Sequence, residues 1–375
     1  MHEQMHEGKL SAIRRIAVLR AGGLGDLIFT LPAIEALTAA YPDAEIVLLG
    51  NCAAVELLGS RPGTPHRVIE LPPIAGVGAP ERTETDEEAV ETFVAARRAE
   101  QYDLAVQMHG GGRHSNAFLL RLGARFTVGT RTDDAAQLDR TLNYVYYQHE
   151  VMRWLEVAGL AGADPVVSEP RIVPLPQEAT IARELLRADC GAEGDRPMVA
   201  MHPGATDPRR RWPTASFARM AAALEQEGVH VVLVGTGPED SQLCQDIVQQ
   251  AERMGASRIE DLAGSLSLSE LVGVLGLADV TVGNDSGPRH LAQALGTRTV
   301  SIFWCGNLMN AGPFTRLKHR VQISWTTHCP ECGVDCTQVG WTAERCEHNP
   351  SFVADVAVEQ VLHDVRSLLV DARRW

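Results

Sequence analysis

The stretch that decides the fold covers residues 278–296 and reads ADVTVGNDSGPRHLAQALG. Its first part is mostly apolar or β-branched and predicts a short buried strand, and the apolar spacing of its last part predicts a helix that ends at Gly296. A strand, a glycine-bearing turn and a helix start together aim unpaired backbone N–H groups at an anion. The alternative is an ordinary turn whose helix is capped by Asp285 or Ser286.

Three residues of this turn are candidates for contacting an anion. Gly287 lets a phosphate approach the main chain closely, and Ser286 adds a hydroxyl donor. His290 lies within the first helical turn, where it reaches the same anion. The turn therefore predicts a phosphate site, provided that a strand precedes it and a helix follows it.

Strand-like and helix-like patterns alternate along the rest of the chain. Short apolar runs predict strands of parallel sheets, and helical spacing of apolar residues follows them. This alternation predicts an α/β fold with doubly wound sheets. The predicted strands cover residues 16–19, 46–49, 67–70, 104–107, 125–128, 198–201, 231–234 and 278–282.

The length of 375 residues exceeds what one hydrophobic core usually serves, and it predicts two domains. Four prolines without regular spacing mark residues 164–177 as the linker. We therefore expect an N-terminal domain of residues 1–175 and a C-terminal domain of residues 176–352. A last amphipathic helix is expected within residues 353–375.

The bulk composition argues against several classes of protein. With 45% hydrophobic and 22% charged residues, the chain is typical of globular proteins. A formal net charge of -14 disfavours a nucleic-acid binder and stable docking on anionic lipid, because both need a cationic surface. Transient contact with a membrane surface is left open.

The sequence also bears on the compartment. No apolar run approaches the roughly 20 residues that span a bilayer. Residues 1–12 are polar and lack the apolar core of a signal peptide. We therefore predict a cytoplasmic protein without a membrane span.

A glycine-rich turn, AGGLGD at residues 21–26, follows the first predicted strand. It matches only part of the dinucleotide pattern G-x-G-x-x-G. Asp26 places a carboxylate where a cofactor pyrophosphate would lie, which favours a base or a contact to a ligand hydroxyl. The alternative for Asp26 is a cap at the start of the helix.

Other candidates follow further predicted strands, at the sheet edge where ligands bind. His109 and Arg113 come directly after residues 104–107. Three arginines, residues 209–211, lie between two prolines and favour an anion site, with a solvated surface run as the alternative. Glu239 fits either a ribose-binding acid or a helix cap.

Four cysteines cluster in the segment of residues 325–349, and their spacing is C-x₂-C-x₃-C-x₉-C. Four thiolates in so short a span suit a structural zinc site, or an iron site with the same ligands. The predicted ligands are Cys329, Cys332, Cys336 and Cys346. His328 or His348 is an alternative ligand. Two disulfides, which a reducing compartment disfavours, and free thiols are the other interpretations.

Four blocks of this sequence, taken in order, resemble glycosyltransferase family 9, the ADP-heptose:lipopolysaccharide heptosyltransferase family. They are RAGGLGDLI at residues 20–28 with LPA at 31–33 and YP at 41–42, HPGA at 202–205 with RRWP at 210–213, VGTGPE at 234–239, and GNDSG at 283–287 with His290 and ALG at 294–296. The resemblance implies the GT-B fold, in which two Rossmann-like domains enclose a cleft and the C-terminal helix crosses back to the first domain.

The resemblance also implies an activity. The family transfers heptose from a nucleotide diphosphate, ADP-heptose, to a hydroxyl group of a saccharide or glycoconjugate acceptor. The transfer inverts the sugar's configuration and needs no metal or other cofactor. The implied setting is lipopolysaccharide biosynthesis.

Roles for single residues follow from the same resemblance. Asp26 matches the proposed general base, and Arg210 falls where the family usually has lysine. Arg113 resembles the family's cationic acceptor-side residue, with His109 beside it. The implied donor-binding residues are Thr206, Arg210, Glu239, Leu266, Asp285, Ser286, Gly287 and His290.

Two rival functions remain at this point. A GT-B sugar-nucleotide epimerase would use the same phosphate turn but would need groups that eliminate the nucleotide. A non-catalytic sugar-nucleotide-binding protein would lose Asp26. The presence of Asp26 favours the glycosyltransferase.

Overall fold

The computed structural model describes residues 8–63, 65–190, 196–337 and 346–372. The chain forms two compact units, Met1–Arg171 and Ile172–Trp375. The backbone N–H of Ile172 donates to the carbonyl of Ala294 at 2.9 Å, so the chain joins the second unit at this residue. The division lies close to the expected boundary after residue 175.

The first unit alternates strands and helices, and its described strands form one parallel sheet in the order β3-β2-β1-β4-β5-β6. The strands are β1 (Arg15–Leu19), β2 (Glu45–Gly50), β3 (Arg67–Glu70), β4 (Leu104–Gln107), β5 (Phe126–Arg131) and β6 (Arg140–Asn143). The helices are α1 (Leu24–Ile28), α2 (Leu31–Ala40), α3 (Cys52–Leu58), α4 (Glu87–Ala99), α5 (Ser115–Arg121) and α6 (Glu150–Leu160).

The second unit repeats this pattern, and its described strands form a parallel sheet in the order β12-β11-β10-β7-β8-β9. Its strands are β7 (Met198–His202), β8 (His230–Leu233), β9 (Glu260–Asp261), β10 (Val280–Asn284), β11 (Arg298–Trp304) and β12 (His319–Ser324). Its helices are α7 (Pro176–Cys190), α8 (Thr214–Gln226), α9 (Gly237–Glu252), α10 (Leu268–Leu277), α11 (Gly287–Ala294), α12 (Cys305–Ala311) and α13 (Val358–Ala372), with a 3-10 turn at Pro208–Arg210.

The central strands are buried because helices cover both faces of each sheet. In β1, the side chains of Ile16, Ala17, Val18 and Leu19 are buried, and so are those of Val231, Val232 and Leu233 in β8. The apolar runs of the sequence are thus explained by burial on both faces. The predicted doubly wound α/β fold is confirmed.

Both sheets reverse their strand order at one point, which lies between β1 and β4 in the first unit and between β7 and β10 in the second. At these points Leu19 is in register with Gln107, and His202 with Gly283. Loops leave a doubly wound sheet on opposite faces at such a point and open a crevice at the carboxyl ends of the strands. Each unit therefore has one preferred ligand edge.

The last helix begins five residues later than the predicted start at residue 353. The backbone before it makes tertiary bonds instead: Phe352 N–H donates to Arg209 O at 2.7 Å, and Trp212 Nε1 donates to Val356 O at 2.9 Å. α13 then packs on α8 and on β10, β11 and β12 of its own unit. Its predicted crossing to the first unit stays a prediction.

Among the residues that the structure describes, no helix is both long and apolar enough to cross a membrane.

Candidate active site

Asp26 lies in the first turn of α1, directly after the glycine-rich turn that follows β1. Its Oδ2 accepts the backbone N–H of Gly23 at 3.0 Å, and its Oδ1 pairs with Nη2 of Arg20 at 2.8 Å. The Asp26 side chain nevertheless remains 48% exposed. It therefore caps the helix start, as the alternative interpretation held, and still offers a carboxylate to a ligand.

Arg20 is a residue to which the sequence analysis gave no separate role. Its guanidinium is buried, donates from Nη1 to Met108 O at 2.6 Å, and lies over the ring of Trp154 at 5.0 Å from the centroid. A guanidinium held in this way fixes the carboxylate that it bonds. Arg20 thus sets the orientation of Asp26.

The two predicted acceptor-side residues lie in different environments. His109 is brought to the Asp26 turn, because its Nδ1 donates to the carbonyl of Ala21 at 3.1 Å. Burial, and then the positive charge of Arg20, lower the pKa of His109 to about 4, so the imidazole is neutral near pH 7. Arg113 instead points outward, 63% exposed, and pairs with Asp134 at 3.3 Å.

In the second unit, Asp285 directly follows β10 and is buried. Its Oδ1 accepts from His290 Nε2 at 2.9 Å, and its Oδ2 accepts from Arg210 Nη1 at 2.9 Å and Asn307 Nδ2 at 3.0 Å. Burial raises the pKa of this carboxyl, but the bonds and charges of His290 and Arg210 outweigh it and leave the pKa well below its usual range. Asp285 is therefore a fixed negative charge that orients two cationic or donor groups.

The loop after β7 is tied to the turn after β10 by Asn284. The Asn284 amide donates from Nδ2 to Pro203 O at 2.7 Å and accepts from Trp212 N–H at 3.0 Å. These bonds hold the arginine-containing loop against the start of α11. Ser286 is the residue preceding α11, and Gly287 is its first residue.

The three consecutive arginines have three different partners. Arg209 is buried, pairs with Asp207 at 2.6 Å and lies over the Phe352 ring. Arg210 pairs with Asp285, and Arg211 pairs with Glu239 at 2.5 Å. The run is therefore part of the folded loop, and a solvated surface run is the wrong interpretation.

The other predicted donor-binding residues surround this edge of the second sheet. Glu239, in the first turn of α9, is 67% exposed, and the bond and charge of Arg211 lower its pKa. Thr206 is exposed in the loop after β7. Leu266 is half-buried just before α10, which begins with a capping box of Ser267 and Glu270.

The cysteine segment brings together a slightly different set of ligands from the predicted one. One ligand atom from each of Cys329, Cys332, Cys346 and His348 lies within 4.8 Å of the others. His348 thus takes the position expected for Cys336, whose thiol contacts Val334 O at 3.3 Å. Spacing alone does not distinguish these two candidates for the fourth ligand.

The architecture is that of GT-B glycosyltransferases. The solved structure of E. coli ADP-heptose LPS heptosyltransferase II is similar, with a TM-score of 0.74, 20% identity, and coverage of 96% of this chain and 100% of that chain. The iron-containing dodecameric glycosyltransferase TibC from enterotoxigenic E. coli is similar at a TM-score of 0.52 and 14% identity, covering 97% of this chain and 78% of that chain.

The chain belongs to glycosyltransferase family 9 (heptosyltransferase), whose sequence profile matches residues 92–339. Lipopolysaccharide heptosyltransferase 2 of Salmonella typhimurium is 25% identical, with coverage of 95% of this chain and 98% of the relative. The family predicted from the four sequence blocks is confirmed. The protein is a glycosyltransferase, and the epimerase alternative is not favoured.

Proposed function

We propose that this chain transfers heptose from ADP-heptose to a hydroxyl group of a saccharide acceptor in lipopolysaccharide biosynthesis, with inversion at the anomeric carbon. The family and the names of the similar proteins, a lipopolysaccharide heptosyltransferase and an ADP-heptose LPS heptosyltransferase, support the donor and the setting. Support from the site comes chiefly from the turn after β10, where Arg210 is held beside the start of α11.

That turn suits a diphosphate for two reasons. The first backbone N–H groups of a helix have no acceptor within the helix and favour an anion. Arg210 keeps one face for a ligand, because Asp285 bonds it through Nη1 and its side chain remains 25% exposed. In our proposal Arg210, Ser286 and Gly287 stabilise the departing diphosphate, and His290 keeps Asp285 in place.

Asp26 is proposed as the general base. A carboxylate accepts the proton of the attacking acceptor hydroxyl as the new glycosidic bond forms. Arg20 and the Gly23 N–H hold both oxygens in one orientation, and the side chain is half-exposed. The bond between the anomeric carbon and the diphosphate breaks as the glycosidic bond forms, and the negative charge that develops on the departing diphosphate is compensated by Arg210 and the helix start, so the transfer step needs no metal in this mechanism.

The remaining predicted residues take supporting roles in the proposal. Glu239 and Leu266 contact the nucleoside, Thr206 contacts the donor phosphates, and His109 and Arg113 line the acceptor side. Neutral His109 accompanies the Asp26 turn, which suits contact with a polyhydroxyl acceptor. Exposed Arg113 suits an anionic group of the acceptor.

A turnover assay tests this function. ADP release from ADP-heptose is measured with and without a lipopolysaccharide core oligosaccharide that lacks its outer heptose, and GDP- and UDP-sugars serve as controls. We expect release only with ADP-heptose and acceptor together. Epimerisation or elimination of the donor without acceptor would favour the epimerase, and binding without any turnover would favour the non-catalytic protein.

We further propose that Cys329, Cys332, Cys346 and His348 bind a structural zinc ion. Three cysteines and one histidine are a common structural zinc set. Zinc–sulfur bonds of about 2.3 Å in a tetrahedron place ligand atoms about 3.8 Å apart, and these atoms already lie within 4.8 Å of one another. The iron in TibC makes iron the alternative metal.

Elemental analysis of protein purified without added metal tests this site. We expect about one equivalent of zinc, lost together with several degrees of melting temperature in Cys332→Ser. Cys336→Ser is the matched control and should keep the metal. A protein with no zinc or iron and freely titrating thiols would contradict the site, and loss of metal in Cys336→Ser would restore the ligand set predicted from spacing.

A further inference from the structure

Three side chains of the second unit form a hydrogen-bonded array beside the proposed diphosphate turn. Nδ1 of His202 lies 2.9 Å from Oγ of Ser286, and Nε2 of His202 lies 3.2 Å from Oδ2 of Asp240. The His202 side chain is buried at the end of β7, next to β10 in the sheet. His202 thus links Ser286, at the ligand edge of the sheet, to the carboxylate of Asp240.

Asp240 is fixed in this position. Its Oδ2 also accepts the backbone N–H of Thr236 at 2.9 Å. Two glycines leave room for it, since a Cβ at Gly235 would lie 2.6 Å from the Asp240 Cβ and a Cβ at Gly204 would collide with Oδ1. The hydrogen bonds from His202 and from the Thr236 N–H, together with the charge of Arg211, outweigh the effect of burial and lower the pKa of Asp240, so the group is an anion near pH 7.

The ionised Asp240 restricts the tautomer of His202. A carboxylate only accepts hydrogen bonds, so Nε2 of His202 carries a proton and donates it. In a neutral imidazole Nδ1 then has no proton and accepts from the Ser286 hydroxyl. The single hydroxyl hydrogen of Ser286 is therefore directed to His202, or to Asn284 O at 3.2 Å, and away from a ligand.

A phosphate oxygen at Ser286 needs that same hydrogen. If the hydroxyl turns to the phosphate, the lone pairs of Ser286 Oγ and His202 Nδ1 face each other at hydrogen-bond distance, which is unfavourable. Moving the Nε2 proton to Nδ1 would leave bare Nε2 against the Asp240 carboxylate. A second proton on His202 removes both conflicts, because Nδ1–H then donates to Ser286 Oγ.

We infer that His202, held by Asp240, is a positioning residue for Ser286, and that binding of the donor diphosphate is coupled to the uptake of about one proton at His202 Nδ1. The inference rests on the proposed donor site. This role requires a histidine at position 202, because histidine is the side chain that gains a proton near neutral pH. Bound donor stabilises the imidazolium, so affinity should fall as the pH rises.

Other charged groups of the site also surround the array. They are Glu239 of α9, Arg211 of the loop after β7, and Asp285, Arg289 and His290 of the turn after β10 and α11. Arg211 is paired with Glu239, and Asp285 with His290, so these four groups have compensating partners, and the buried Arg289 has Asp285 as its nearby counter-charge. Their protonation is common to the wild type and to variants at Ser286 or His202, so a difference between these proteins isolates the array.

The test is calorimetry of ADP-heptose binding in buffers of different ionisation enthalpy, between pH 6 and pH 8. The donor's diphosphate is a diester, so the ligand itself contributes no proton. We expect the wild type to take up roughly 0.5 proton or more beyond His202→Asn, whose amide donates to Ser286 without titrating, and its Kd to rise by up to ~10-fold per pH unit. Ser286→Ala should also lose the uptake, and Ser286→Thr should keep it.

Each outcome bears on one proposal. Equal proton uptake in the wild type, His202→Asn and Ser286→Ala overturns the inference while leaving the donor site intact. A His202→Asn protein with weaker binding at every pH and an unchanged proton count shows a merely structural histidine and also overturns it. No binding of ADP-heptose by the folded wild type overturns the proposed function itself, and the proton coupling with it.

Discussion

Each unit carries an aspartate at the point where the strand order of its sheet reverses, Asp26 after the first strand of the first unit and Asp285 after the fourth strand of the second, and the two carboxylates have opposite surroundings. Asp26 is half-exposed, whereas Asp285 has 5% of its side chain exposed and three side-chain partners. An aspartate at the reversal point of a doubly wound sheet therefore does not have one fixed role. Exposure and partners distinguish Asp26, which we propose contacts a substrate, from Asp285, which orients its neighbours.

The difference arises from the side chains that reach each aspartate. In the first unit the buried Arg20 pairs with Asp26, whose side chain remains 48% exposed. In the second unit Arg210, His290 and Asn307 come from separate elements and surround Asp285. The surrounded carboxylate of Asp285 orients its neighbours, and the open carboxylate of Asp26 is accessible for the proton transfer that we propose.

The largest expected effect is a difference in stability between variants of the two aspartates. Asp285→Asn should lower the free energy of unfolding by about 3 kcal/mol, because it removes the negative charge that faces the buried Arg289 and the partly buried Arg210. Asp26→Asn should cost about 1 kcal/mol or less, since Arg20 keeps Met108 O and the Trp154 ring. Urea unfolding of both variants measures this.

Acid titration provides the control for Asp285. Its folded-state pKa is lowered, so its contribution to stability is present above the unfolded pKa of about 3.9 and is lost as the pH falls below that value. The difference in the free energy of unfolding between the wild type and Asp285→Asn should therefore be smaller at acid pH. A deficit that is equal at pH 7 and pH 3, or equal losses in both variants, would contradict the contrast.

For turnover, in contrast to stability, the informative substitution is that of Asp26. Asp26→Asn should lower kcat by about 10²-fold or more and leave the Kd of ADP-heptose nearly unchanged, as expected for the loss of a general base. Asp43→Asn, in an exposed turn of the same unit, is a matched control. Unchanged turnover in Asp26→Asn would reduce this residue to a helix cap.

Much of the fold was predictable because its central strands are apolar. The predicted strands at residues 67–70 and 104–107 coincide with β3 and β4, and the other predicted strands agree within three residues at either end. β11, with the sequence RTVSIFW, has the apolar and β-branched residues of a strand but was not predicted. β12 carries polar residues such as Arg320 and Gln322 at the sheet edge, and β9 has two residues, so neither gives an apolar run.

The candidate site was predictable in its motifs and not in its contacts. Turns after strands located Asp26, Arg210 and Asp285, because ligand edges follow from topology. The partners Arg20 and Asn307 were missed, since nothing in the chain before folding indicates which guanidinium or amide reaches a given carboxylate. His348 shows the same limit, because cysteine spacing does not reveal which neighbouring side chain supplies the fourth ligand atom.

A smaller effect, on ligand binding, is expected at the proposed donor site of the second unit. Arg210→Ala should weaken ADP binding by about 10- to 100-fold, the range of one charge-assisted hydrogen bond, and leave adenosine binding unchanged. Arg211→Ala, whose guanidinium pairs with Glu239, is the matched control and should lose less. Calorimetry with both ligands measures this, and equal losses for ADP and adenosine would make Arg210 a structural residue.

The smallest expected effect concerns Arg113 of the first unit. Its side chain is exposed and pairs with Asp134 on the neighbouring loop, so a contact to an acceptor anion competes with that pair and with water. Exposed charge contacts contribute about 0.5–1 kcal/mol, which corresponds to a two- to fivefold change in an equilibrium constant. Arg113→Ala should therefore raise the acceptor KM by about two- to fivefold, with kcat and the donor Kd unchanged. Steady-state kinetics at saturating donor measures it, with Arg125→Ala as an exposed-arginine control in the same unit that contacts Ser11. A loss of donor affinity in Arg113→Ala would instead move this residue to the donor side.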